Sequence, residues 1–468
     1  MKNMRFILIL VVVLFLTPIG NISGDQKNEN YIEKIKITIF KCNYLEYIQE
    51  FSNHSFLIKI NIPIKNLISE FTITNRYNFS NLSIDLGSVC VRYFKIRFEV
   101  YEIIKNDLLT CDLNIKQGIG FADIIFDSFT GFWLGDDQIG DPSGYGRFNG
   151  CDDGSFYEFE RDFELCFSID IIDPDNDHIP RWYEENIYHT DPYVDDSCCD
   201  DDLDKISLFW EYRWEYDPFE YENHTDLDPD NDGLSNYEEY IVSNWNSDPF
   251  CKDMFVELDQ MELGPDNNSF FVSNITKIML YQTYAKRNII FHIDDGCMGE
   301  GEIIPFDSML WLGEEKKYYE KYFLKNDKNN WRRGVFRYAL FVNDHFLIKG
   351  LEFPGENSLI FFYKPGLNSF VISIKAFSRR NDFEIACIIM HELGHTLGMC
   401  MGRPLGCDNQ LMRLPFNIQK YIFKNYKSVM NYMYAFKILD YSDGTHGFAD
   451  FDDWDYIDLT YFQPEGAS

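Results

Sequence analysis

Between Asp173 and Asp253 the chain repeats one acidic pattern three times, and this pattern restricts what the region can fold into. Asp173, Asp175 and Asp177 open DPDNDHIPRWYE; Asp200, Asp202 and Asp204 open DDDLDKISLFWE; Asp228, Asp230 and Asp232 open DPDNDGLSNYEE, at a period of 27 to 28 residues. Position 12 of each copy is a glutamate: Glu184, Glu211 and Glu239. Each copy then closes on Asp-Pro-aromatic, at Asp191, Asp217 and Asp248. Oxygens at positions 1, 3, 5 and 7 with a carboxylate at 12 can wrap a single hard cation, calcium above all, position 7 offering its backbone carbonyl (Leu234 in the third copy). Without a cation, carboxylates gathered in one loop repel each other, so the loops could not close compactly. Only the third copy has glycine at position 6, Gly233, where such a loop turns sharply. His178 and Lys205 stand there in the others, which points to weaker binding in those two.

The rest of the chain must supply cores of its own. At 468 residues it is long enough for two or three domains, and 45% hydrophobic and 17% aromatic residues give ample surface to bury. A formal net charge of −34 would repel phosphate backbones and anionic lipid heads, which excludes nucleic-acid binding and membrane-surface binding. The chain opens MKNMRFILILVVVLFLTPIG, with Lys2 and Arg5 ahead of an apolar run shorter than a bilayer span. That is a signal-peptide layout over 1–24, an uncleaved anchor being the alternative, and it implies a secreted or extracellular protein. Acceptor sequons such as Asn223 and Asn274, and twelve cysteines without paired CxxC ligand sets, fit an oxidising compartment with disulfide bonds.

From about Tyr31 to Ile169 short alternating stretches such as KIKITIF, FLIKINI and FKIRFEVYEI read as strands of a β-sandwich. Its last third, from WLGDDQIGDPSGYG to FELCFSI, resembles the calcium-binding loops of lipid-binding β-sandwich modules. The three acidic copies resemble thrombospondin type-3-like and dockerin-like calcium repeats, here EF-hand-like in spacing. From Asp253 onward FVELDQM, NIIFHIDDG, VFRYALFV and LIFFYK read as strands. NITKIMLYQTYAKR and FEIACIIMHELGHTLG read as helices.

The second of those helices carries the chemistry. Positions four apart share a helix face, so His391 and His395 can present two imidazoles to one zinc ion with Glu392 beside them as general base. Gly398 lets the chain leave the helix in a left-handed turn. Downstream, YKSVMNYMY places Met430 in an SxMxY string. HExxHxxG with that string resembles the metzincin peptidases, whose Met-turn packs beneath the zinc. The resemblance implies that Met430 floors the site and that Tyr432 approaches the metal or the oxyanion. The family's third ligand would fall at Met401, a poor zinc ligand. Asp408, seventeen residues after His391, is the leading replacement, as aspzincin-type peptidases also take a ligand aspartate from a Gly-rich segment after HExxH; His446 is the competitor. Cys400 and Cys407 bracket the inserted MGRPLG, and a bridge between them would hold Asp408 near the helix exit.

Together these expectations describe an α+β multidomain chain. An N-terminal β-sandwich (31–169) leads to a calcium-loop repeat linker (170–252) and a C-terminal α/β metzincin-like zinc peptidase domain (253–468). The expected function is that of a secreted zinc metalloendopeptidase acting on protein or peptide substrates, with Zn2+ and Ca2+ as cofactors. The alternative is a non-catalytic, calcium-stabilised extracellular binding protein with a degenerate zinc domain.

Overall fold

The computed structural model describes residues 33–45, 54–74, 77–78, 81–105, 107–137, 145–154, 161–262, 264–265, 272–311, 313–345, 350–352, 368–373, 381–400, 402–409 and 418–462. The expected signal peptide at 1–24, the expected strand LIFFYK at 359–364 and Met401 lie outside these residues.

Two antiparallel sheets lie face to face in the N-terminal part. The first is centred on β1 (Glu33–Tyr44), and the second on β2 (Ser55–Ile62) with its neighbour β3 (Leu67–Ile73). β4 (Tyr77–Asn78) and β5 (Leu82–Val89) join the first sheet; β6 (Tyr93–Ile104), β7 (Asp107–Thr110), β8 (Ala122–Asp127) and β9 (Trp133–Gly135) join the second. β10 (Gly146–Asn149) and β11 (Phe163–Ile172) return to the first, β11 pairing with β1. Alternation creates the core. Every second residue of β2, from Phe56 through Ile58 and Ile60 to Ile62, is fully buried and packs in one cluster with Ile35, Ile37 and Ile39 of β1.

The acidic copies follow as three loops, each running into a short helix whose aromatics interlock, as where Trp210 stacks on Tyr216. Each helix is too short to be stable alone, so packing and the loop geometry must hold it.

The third sheet is mostly parallel, in the order β13-β12-β15-β17-β16 for β12 (Asp253–Met261), β13 (Ile290–Asp294), β15 (Phe336–Val342), β16 (Gly350–Glu352) and β17 (Ser369–Ser373). β14 (Ile303–Ile304) also pairs with β12, and β16 alone runs antiparallel. Residues of β12, β15 and β17 are buried on both faces, which is why their sequences read as continuous apolar runs. Met254, Val256 and Leu258 meet the helices Asn274–Ala285 and Asp382–Thr396 on one face. Phe255 meets Leu234 and Val242 of the third copy on the other. The sandwich is joined to this unit by buried hydrogen bonds, Arg147 and Asn149 donating to the Ala285 carbonyl and Gln282 to that of Tyr44.

The expected α+β organisation ending in a metzincin-like α/β domain therefore needs correction. The chain is mostly β, resting on two antiparallel sheets and one largely parallel sheet. Among the described residues only two helices exceed seven residues. The physical reason is local: aromatic and β-branched residues favour pleated, buried strands, and Asp, Asn and Gly break most of the intervening segments into single turns. The HExxH and SxMxY strings specify one helix and one turn; they carry no information on strand order. Among the described residues no helix is long and apolar enough to cross a membrane.

Candidate metal centre

The motif helix, Asp382–Thr396, is set by a capping box in which Asn381 accepts from the Glu384 backbone and Glu384 returns to the Asn381 N–H. It lies against the third sheet through Ile385, Ala386, Ile389 and Leu393, so its last turn, with His391 and His395, is held rigidly. Each imidazole is oriented by a backbone carbonyl: His391 Nδ1 lies 2.9 Å from the Val429 oxygen and His395 Nδ1 2.8 Å from that of Met399. With Nδ1–H donating, each Nε2 keeps a lone pair. Both lone pairs face Asp408, whose Oδ1 is 3.3 Å from His391 Nε2 and whose Oδ2 is 3.5 Å from His395 Nε2. Two lone pairs directed at a carboxylate repel unless a proton or a metal cation lies between them. The buried Asp408 Oδ1 has His391 Nε2 as its neighbour, so this oxygen can pair with a protonated imidazole or ligate a metal in its place. Two nitrogens and one carboxylate could hold a zinc ion, and the carbonyls that fix both rings would keep the Nε2 atoms turned toward it.

Met430 explains the glycine inside HELGH. A Cβ on Gly394 would stand 2.6 Å from Met430 Sδ and 2.9 Å from Met399 Cε, so any other residue there would push the ends of these two buried methionines aside. The same methionine holds the third candidate ligand: its carbonyl accepts the Asp408 N–H at 3.1 Å, with Asp408 in the left-handed region at φ 50°. Gly402 N–H bonds the Cys407 carbonyl at 3.0 Å and Cys400 N–H that of Arg403 at 2.8 Å, so the inserted segment folds back to deliver Asp408 to the helix exit.

Glu392 is almost fully buried, and burial raises its carboxyl pKa although the two imidazoles oppose this. The Tyr432 ring stacks on His391 at 5.5 Å, and its hydroxyl hydrogen-bonds to Asp408; burial and that carboxylate hold its pKa far above the usual value. Burial would lower the His391 pKa, but Asp408 overrides it and lifts it to about 9. Burial would raise Asp408, but the imidazoles bring it down to about 2. His446 belongs elsewhere, its Nδ1 2.9 Å from Asp450 Oδ2 and 3.6 Å from Asp443 Oδ1. A cavity of about 280 Å³ between the sandwich and the third sheet is lined by Lys41, Arg147, Trp245 and His292 and by none of the triad.

The acidic copies share one backbone. Positions 4 and 6 are left-handed in each, at Asn176 and His178, Leu203 and Lys205, and Asn231 and Gly233. The position-5 carboxylate accepts the N–H of position 7 each time, Asp177 from Ile179, Asp204 from Ile206 and Asp232 from Leu234. Lys205 donates to Asp200 just as Gly233 donates to Asp228, so a side chain at position 6 leaves the loop geometry unchanged. Carboxylate oxygens of Asp173, Asp175, Asp177 and Glu184, of Asp202, Asp204 and Glu211, and of Asp230 and Glu239 are buried without hydrogen-bond partners. Burial, then the neighbouring carboxylates, pushes Glu184 up to about 8 and Glu211 to about 9, and raises Asp177, Asp230, Asp232 and Glu239 as well. Each loop is approached by a further residue that the spacing had not suggested. Asp196 joins Asp177 and Glu184, His224 joins Asp204 and Glu211, and Asp253 acts on Asp232 and Glu239. These stand twelve, thirteen and fourteen residues beyond their glutamates, an offset that aligning the copies past position 12 could have revealed.

No family model matches the chain, and no curated protein does. Among solved structures, human GIVD cytosolic phospholipase A2 in complex with methyl gamma-linolenyl fluorophosphonate inhibitor and terbium chloride is similar at a TM-score of 0.19 and 9% identity. The match covers 30% of this chain and 18% of that one. A C2 domain-containing protein from a putative elicitor-responsive gene gives a TM-score of 0.17 at 7% identity, over 30% of this chain and 88% of that one. The chain thus spans less than a fifth of the phospholipase it matches.

Proposed function

We propose that the protein is a zinc-dependent endopeptidase, exported from the cell, with cations held in the acidic repeats, calcium among them. One observation carries the reading: His391, His395 and Asp408 converge, with both Nδ1 atoms committed to carbonyls and both Nε2 atoms turned to the carboxylate. These three residues would hold the zinc, which when bound acidifies a water and polarises a scissile carbonyl. Glu392, on the same helical turn and with its pKa raised by burial, is suited to take the proton of the attacking water and return it to the leaving amine. Tyr432 keeps its hydroxyl proton because its pKa is raised, so it can donate a hydrogen bond to the carbonyl oxygen as negative charge develops there. No covalent intermediate with the chain is required, and the substrate is a peptide bond. The test is a peptide-library digest with the wild type and Glu392→Gln, together with zinc analysis of both. Glu392→Gln should retain zinc while turnover falls by roughly 10²- to 10⁴-fold. Equal turnover would remove Glu392 from the chemistry. Zinc content without cleavage in the wild type would favour a non-catalytic binding protein.

A further inference from the structure

We infer that the second acidic repeat is not a calcium loop but a site for a divalent transition metal, bound by Asp204, Glu211 and His224. The inference rests on reading the repeats as cation loops and is independent of the peptidase reading.

The three copies share a backbone but differ in the residue that approaches after position 12. In the first copy it is an aspartate, Asp196, and in the third Asp253, whose carboxylate is engaged by the Asp248 N–H and by His292; in the second it is His224. His224 is about as buried as a side chain can be, at 1% exposed. Its Nε2 points at two carboxylates, 3.1 Å from Asp204 Oδ2 and 3.9 Å from Glu211 Oε1, and forms a hydrogen bond with neither. Both Glu211 oxygens are likewise buried and unpartnered. The one side-chain atom that fixes the ring is in the Asn236 amide, 3.0 Å from Nδ1. With Asn236 Nδ2 facing the ring, Asn236 Oδ1 is buried without a partner. Exchanging the two amide atoms lets Nδ1–H donate to Oδ1, which leaves the Nε2 lone pair directed at the carboxylates. That arrangement repels unless a proton or a metal cation lies between them. The rings of Trp210 and Tyr216 stand edge-on to the imidazole at 5.8 and 4.8 Å, enclosing the site in an apolar shell.

The donor set selects the metal. Calcium takes six to eight oxygens, which copies with an aspartate in the closing position supply more readily. Neutral imidazole with two carboxylates instead suits zinc, cobalt, nickel or iron in the divalent state. The Asn236 amide at the other ring nitrogen fixes the tautomer and orientation of His224, as a metal-ligating histidine requires.

The test is metal counting on the full chain, stripped with chelator and dialysed against cobalt(II) with excess calcium. The wild type should hold two cobalt ions, and His391→Ala with His395→Ala should hold one. Adding His224→Asp should remove that ion and raise the calcium count by one, because the substitution supplies the kind of aspartate that closes the first copy. The gain in calcium shows that the variant is folded. Asn236→Ala in the two-histidine background should weaken cobalt by about 10- to 100-fold. Cobalt retained after His224→Asp would overturn the inference, and so would a wild-type second repeat filled by calcium despite saturating cobalt. A failure of the peptidase site gives a different pattern: a wild type with one cobalt ion that only His224→Asp removes.

Discussion

Removing the cations should make the repeats less stable as pH rises, opposite to the usual behaviour of a protein held by carboxylate ion pairs. Glu184 shows why. It is fully buried in the first loop, and its pKa is about 8 in the folded chain against an ordinary value of 4.5. Between those values the cation-free folded state holds a proton that the unfolded chain has released. Its stability therefore falls as pH climbs from 4.5 and levels off above about 8. At pH 7 the difference amounts to about 3 kcal/mol for this one group, out of the roughly 5–15 kcal/mol that holds a typical domain. Asp177, Glu211 and Asp230 act in the same sense, without simple additivity. His391, raised to about 9, adds stability present below 6.5 and lost as pH rises through 9, so it also acts in this direction. Asp408, lowered to about 2, loses its contribution only below pH 4, outside the window. The assay is thermal melting with and without chelator at pH 5 and pH 8, paired with limited proteolysis mapped to 173–253. Chelation at pH 8 should lower the transition and open cuts within the repeats, while calcium restores both, and in chelator the transition at pH 8 should lie roughly 6–12 °C below that at pH 5. In chelator, pH 5 should be the more protective condition. A chelated protein that melts lower at pH 5 than at pH 8, with the repeats uncut at both, would refute the reasoning.

Asp408→Ala should lose zinc as completely as His395→Ala, measured by metal analysis after dialysis, whereas His446→Ala should retain it because that imidazole is engaged with Asp450. Gly394→Ala gains about 1 kcal/mol in helix propensity but places a Cβ 2.6 Å from Met430 Sδ, an overpacking cost of about 1–3 kcal/mol. It should lower the melting temperature and loosen zinc through the Met430 carbonyl that holds Asp408. Combined with Met430→Ala it should cost less than the two changes added. A Gly394→Ala protein with wild-type melting and zinc content would show that Met430 does not hold the ligand loop.

The sequence by itself determined the features that depend on short spacings. Four residues of helix place His391 and His395 on one side, alternation places Phe56, Ile58 and Ile60 in one core, and a twelve-residue spacing gathers the carboxylates of each loop. It also pointed to Asp408, through the broken position at Met401. What it could not specify was every relation between distant segments, because such contacts depend on packing that no local period records. The order of the third sheet, and so the mostly β character of the chain, comes from which apolar runs lie side by side. The convergence of Asp408 on the two imidazoles comes from a left-handed residue held by the carbonyl of Met430, twenty-two residues away. The nitrogen in the second loop comes from His224, which reads in sequence as one more polar residue between repeats. Only tertiary structure turns its ring onto Asp204 and Glu211, because burial removes the water that would otherwise have satisfied all three.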